Sequence, residues 1–217
     1  MSDDIARRRL ASRDQLLEAA LPHVIFDGWG MTALSAGAAD IGYSEGQIHA
    51  VFVDPERDLP AHFSDWADRR MLTRLSEMDL AAMKIRERIT WAVRARLEAL
   101  EGHEEAVRRL IAVKAMPGNA GAALRDGYRT VDAIWRVAGD QATDFNFYTK
   151  RGLLAAVLAS TTLYWLDDAS DGHGETWGFL DRRIAGIMKI PKAQARVSQF
   201  VERISKPLAG LGAGRIG

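Results

Sequence analysis

The apolar residues of this chain recur at three- and four-residue steps from one end to the other, and that spacing admits little besides packed helices. Ile85, Ile89, Val93, Leu97 and Leu100 make one such stripe, and Val107, Leu110, Ile111 and Met116 make another. No turn signal joins two alternating runs in the manner of a hairpin. The spacing predicts an all-α protein of about nine or ten helices. Their expected spans are 12–27, 32–39, 44–51, 56–77, 82–101, 103–116, 119–138, 145–168, 174–189 and 192–206. Thr32 and Ser44 stand where N-caps belong, and Gly28, Gly102 and Gly139 stand where helices should stop. Pro117-Gly118 separates the sixth helix from the seventh, and the glycine-rich tail after Pro207 reads as mobile.

With 217 residues the chain is long enough for a sizeable core, as one domain or as a small module fused to a larger one. Its 29 basic and 29 acidic side chains cancel, so no global attraction to nucleic acid exists and only local patches count. Cysteine is absent, which removes disulfides, thiolate nucleophiles and Cys-type zinc sites. The start, M-S-D-D-I-A-R-R-R-L, lacks a signal-type apolar stretch, and its acids are unlike a mitochondrial transit peptide. It reads as a bacterial cytoplasmic start, or as a chain already freed of a presequence. The longest apolar run, Gly152 to Leu166, is shorter than the roughly 20 residues a membrane-spanning helix needs.

No constellation for catalysis stands out. The five histidines, His23, His49, His62, His103 and His173, form no ligand pair at helical spacing. Walker loops, a nucleophile elbow and paired E-x-x-H motifs are missing. Neither an enzyme nor a cofactor is expected.

Two stretches resemble known families. L-L-E-A-A-L-P-H-V-I-F-D-G-W-G-M-T-A-L-S, followed by G-Y-S-E-G-Q-I-H-A-V-F, resembles the N-terminal helix-turn-helix of the TetR repressors. The run A-G-D-Q-A-T-D-F-N-F-Y-T-K-R from Ala138 to Arg151, then G-L-L-A-A-V-L-A-S and T-W-G-F-L-D-R-R-I, resembles the coenzyme-Q-nine family, whose members share a TetR-like architecture. The expected organisation is a helix-turn-helix module over 1–54, a larger lipid-binding helical bundle over 55–190, and a basic amphipathic helix with a flexible tail over 191–217. The resemblance implies an accessory protein of ubiquinone biosynthesis. It would bind a polyprenylated quinone precursor and present it to the demethoxyubiquinone hydroxylase. A homodimer is implied too, peripheral on the bacterial inner membrane or on the matrix side of a mitochondrion. The alternative is a ligand-responsive TetR-type repressor.

Charge argues against that alternative. Six acids lie between Asp27 and Pro60 (Asp27, Asp40, Glu45, Asp54, Glu56 and Asp58), with Arg57 the single cation. The third helix would face phosphate with Glu45 and would offer guanine no arginine. Arg7, Arg8, Arg9 and Arg13 form a basic arm, which alone confers non-specific binding.

The eighth helix is apolar around most of its circumference, which predicts a central place. Its small residues Gly152, Ala155, Ala156, Ala159 and Ser160 permit close helix packing, or leave room for an isoprenoid tail. The resemblance implies the second, with Leu153, Leu154, Val157, Leu158 and Thr161 as lipid contacts and an entrance beside Arg151. Lys150 and Arg151 at its start, and Asp167 and Asp168 at its end, oppose the helix dipole, so compensating partners are expected.

Phe147 and Tyr148, adjacent at the start of that helix, cannot both point to one core. An ordinary helix start accounts for them, and so does a docking surface. The resemblance implies a hydroxylase-binding patch of Phe147, Tyr148 and Arg151, extended by Ile134 and Trp135. Family members commonly carry Trp where this chain has Phe147. From Lys189 to Arg215 six cations face one acid, Glu202, and Val197, Phe200, Val201 and Ile204 make an apolar stripe. Such a helix docks on the protein's own core or lies in an anionic membrane surface; the resemblance implies membrane contact.

Overall fold

The computed structural model describes residues 2–139 and 145–187, with side chains described for 3–139 and 148–187. Over those residues the fold is all-α. Nine α-helices follow in order: α1 Ser2–Asp27, α2 Met31–Asp40, α3 Glu45–Val51, α4 Pro55–Ser76, α5 Ile85–Glu98, α6 Glu104–Ala115, α7 Ala120–Val137, α8 Phe145–Asp167 and α9 Gly174–Ile187. The expected helix 192–206, with Val197, Phe200, Val201 and Ile204, lies outside the described residues.

Local chemistry explains most boundaries. Gly28 and Gly102 end helices in the left-handed region, with φ of 76° and 80°, where a Cβ would be strained. At the start of α3 the Gln47 side chain accepts from the Ser44 N–H at 2.8 Å, the return half of a capping box. Two expectations shift. The first helix begins ten residues earlier than its apolar pattern suggested. Asp3 and Asp4 sit favourably in its first turn, and ion pairs four residues apart, Asp3–Arg7 and Asp4–Arg8, support it without burial. Gly30 rather than Thr32 precedes α2. The chain before α5 is a short 3-10 turn, Leu80–Ala82, because the Asp79 carboxylate accepts from the Ala82 N–H.

The core runs unbroken from the N-terminal helices into the bundle. Leu16, Leu17 and Val24 of α1 and Phe52 belong to the same buried cluster as Phe63, Val93, Trp135 and Trp165. The Trp29 ring lies 5.0 Å from that of Phe63 at a tilt of 36°, and its indole N–H donates to the Ala106 carbonyl. Helices α1 and α2 touch backbone to backbone at Gly37, where a Cβ would stand 2.5 Å from the Ala19 carbonyl carbon. The resulting scaffold leaves α6, α7 and α8 around an opening on one side of the bundle.

Candidate functional site

An apolar pocket of about 280 Å³ lies between α6, α7 and α8, closed below by α4 and α5. Leu110 and Ile111 of α6, Val131 of α7, and Ala155, Leu158 and Ala159 of α8 supply most of its wall. Its rim is open to solvent, where Ala155, Ala159 and Leu163 of α8 are exposed. The small residues of α8 therefore border open space as well as packed neighbours. Of the five lipid contacts implied by resemblance, Leu158 lines this pocket. Leu154, Val157 and Thr161 are buried in the core on the other side of α8, and Leu153 is half-buried. Ala155, Ala159, Thr162 and Leu163 take their place on the pocket wall. The lining of α8 begins at Ala155, one helical turn beyond Arg151, so the opening is not beside Arg151.

The deeper wall is polar, and nothing in the sequence reading singled it out. Lys114 of α6 pairs with Asp126 of α7 at 3.2 Å and donates to the Ser64 hydroxyl of α4 at 2.8 Å. Burial pushes the Lys114 ammonium below its ordinary range, while Asp126 pulls it back up. Beside it Asp68 of α4 accepts from Arg96 at 2.8 Å and from the Thr130 hydroxyl at 2.9 Å. One signal was available: Asp126 and Thr130 sit on the stripe of α7 that buries Val131, Ile134 and Trp135. A carboxylate on a core-facing stripe needs a partner or a purpose.

The aromatic-cation patch is split between surface and interior. Tyr148 is 70% exposed at the start of α8, while the Phe147 side chain lies outside those described. Ile134, Trp135 and Arg151, expected to extend the surface, are buried instead. Helix α7 turns Ile134 and Trp135 inward against α8, and Arg151 follows them to reach Asp132. Its guanidinium donates to the Asp132 carboxylate from Nε at 2.9 Å and from a terminal nitrogen at 2.8 Å. Lys150 lies 5.5 Å from the centre of the Trp135 ring. Compensation for the charges at both ends of α8 is thus found within the chain. At the other end Arg108 donates to the Leu166 carbonyl and pairs with Asp167 at 3.4 Å. Asp168 accepts from the Ser170 N–H and from the Thr176 N–H and hydroxyl, which hold its carboxyl well below the usual carboxylate range.

The third helix, α3, presents exposed Glu45 and His49 to solvent and carries no Lys or Arg. Among the described residues no group of three or more His, Asp or Glu is placed to hold a metal ion. No described helix is long and apolar enough to cross a membrane.

Comparison with known proteins agrees with this architecture. A crystal structure described as a TetR transcriptional regulator from Nitrosomonas europaea superposes with a TM-score of 0.66. It covers 80% of this chain and 95% of that one at 24% identity, a likeness of fold alone. The COQ9 family profile matches residues 120–191, which contain α7, α8 and α9. The mitochondrial ubiquinone biosynthesis protein COQ9 of Drosophila melanogaster is 33% identical over 84% of this chain, and the human protein of that name 30% identical over 90%. This chain spans 57% and 64% of those two relatives' lengths. By sequence over most of its length the chain is similar to COQ9 proteins, and its fold is one that TetR regulators share.

Proposed function

We propose that this protein is a non-enzymatic lipid carrier of ubiquinone biosynthesis. It binds a polyprenylated quinone precursor against α8 and delivers it to the demethoxyubiquinone hydroxylase. The observation that carries the reading is the pocket of about 280 Å³ walled by Leu110, Ile111, Val131 and Leu158. Each CH₂ taken from water into such a wall contributes about 0.8 kcal/mol, enough to draw a prenyl chain from an aqueous or interfacial position. A pocket at the low end of the range for small-molecule sites holds one part of a long lipid, and the rest follows the apolar rim. Tyr148, exposed above the buried Trp135 and the Arg151–Asp132 pair, supports a docking face for the hydroxylase. The basic segment with Val197, Phe200, Val201 and Ile204 would bring the carrier to an anionic membrane surface, and the protein would work as a homodimer.

Organic extracts of the gently purified protein, read by mass spectrometry, test this function. Prenylated quinones are expected from the unaltered chain and lost from Leu158→Trp, whose indole fills the pocket. Clean extracts from both, with no retention of added prenylquinone or its reduced quinol, would refute the carrier. Repression of transcription gains no support from α3, where Glu45 faces outward and the helix carries no Lys or Arg. Tight, sequence-selective shifts in a gel titrated with salt would reverse that judgement.

A further inference from the structure

Asp126 is 3% exposed and lines the pocket, yet its Oδ1 accepts no hydrogen bond. Arg125 Nε stands 3.7 Å from that oxygen, beyond hydrogen-bonding distance, on a largely exposed side chain. The other oxygen, Oδ2, is held by Lys114 at 3.2 Å. A buried carboxylate oxygen left without a donor is costly, and native interiors seldom keep one without a use. Lys114 has three N–H groups, of which Asp126 and Ser64 take two. The deep wall therefore holds one unused acceptor, which a small turn of the buried Asp126 side chain exposes to a ligand, and one further donor on the same ion pair. The remaining charges there are matched, since Arg96 and Arg129 share Asp68 and Arg129 also stands 4.0 Å from Asp65. A charge-balanced wall suits a neutral head, and Asp126 would repel a fatty carboxylate.

We propose that the pocket takes its ligand head first, and that the head bears a phenolic hydroxyl donating to Asp126 Oδ1. This rests on the lipid-carrier reading and specifies which end of the lipid enters. An oxygen next to that hydroxyl on the ring accepts from Lys114. The prenyl tail leaves over Ala155, Ala159 and Leu163, beside exposed Leu124 and Tyr128 of α7. A reduced, hydroxyl-bearing ring fits this wall. An oxidised quinone carries only acceptors and would set an oxygen against the Asp126 carboxylate. The head is thus shielded while the lipid is carried, and delivery requires its withdrawal.

The test compares two probes on the full chain, ortho-geranylgeranylphenol and its methyl ether, which differ in the hydroxyl proton. A hydrogen bond to a buried charged group predicts that the phenol binds on the order of tenfold to a hundredfold more tightly. Asp126→Asn is expected to bring the two within about threefold of each other, since a neutral amide is a weaker acceptor. Equal affinity of the unaltered protein for both probes overturns the head-first pose, and that comparison decides alone if the variant does not fold. Leu158→Trp separates the two readings. If it abolishes binding of both probes while the unaltered protein treats them alike, the lipid pocket stands and the head-first pose falls. If neither probe binds the unaltered protein, or Leu158→Trp changes neither, the pocket is no lipid site and both readings fall.

Discussion

Replacing Arg151 with alanine should damage the fold of this protein before it damages any docking surface. The guanidinium is buried, with 5% of its side chain exposed, and its carboxylate partner Asp132 keeps 15%. Removing one member of a buried pair costs about 3–5 kcal/mol, much of it the penalty of an uncompensated charge. Asp132 retains a second partner, Arg136 at 2.6 Å, so the low end, about 3 kcal/mol, is expected. For a chain of this size such a loss lowers the melting temperature by roughly 6–12 °C. Urea denaturation of Arg151→Ala, Asp132→Ala and the double variant measures it. The double variant should lose clearly less than the sum of the singles, because neither charge is then left stranded. Arg136→Ala, on a mostly exposed side chain, should cost no more than about 0.5 kcal/mol. A loss below about 1 kcal/mol for Arg151→Ala, or strict additivity in the cycle, would refute the view that this pair holds α7 to α8. The same result decides how loss of the proposed hydroxylase docking in an Arg151 variant is interpreted, since Tyr148 and Lys150 neighbour that residue in sequence.

Three further outcomes follow from particular contacts. Gly37→Ala drives a methyl group into the Ala19–Ala20 backbone and should cost about 1–3 kcal/mol by denaturant melts, with an unchanged midpoint as the contrary result. His62 is pushed below the ordinary histidine value of 6.5 by burial and then by Arg13, against the opposing pull of Asp14. The unfolded chain therefore takes up more protons as pH falls through 6.5, and stability should decline below that point. His62→Phe should shallow that decline without abolishing it, because burial depresses His103 too; parallel curves for both proteins would count against the argument. Asp168→Ala removes the acceptor for Ser170 and Thr176, so hydrogen exchange should quicken at the start of α9. The contribution of Asp168, whose carboxyl is depressed, should persist at neutral pH and fade as its folded-state value is approached from above.

Periodicity made the helices legible because each needs an apolar stripe whatever its neighbours are, and turn glycines such as Gly28 and Gly102 marked ends by their own backbone chemistry. The apolar pattern marks too short a first helix, since Asp3–Arg7 and Asp4–Arg8 extend it by charge where no apolar stripe exists. Helix α8 shows where such reading ends. Being apolar on nearly every side, it carries no internal mark of which face meets the core and which meets the pocket. Leu154, Val157 and Thr161 went inward, while Ala155 and Ala159 reached the opening.

Arg151 and Trp135 looked like surface anchors for the same reason, because exposure belongs to the way α7 lies on α8. The polar wall was hidden further still: Ser64, Lys114 and Asp126 are up to 62 residues apart in sequence, and only packing of α4, α6 and α7 brings them within hydrogen-bonding reach. Sequence alone determined the all-α fold and the likeness to COQ9 proteins, because those rest on short-range periodicity and on residue identity. Tertiary structure decided which faces are open and which charges meet, because burial and distance arise between segments and are written in none of them singly.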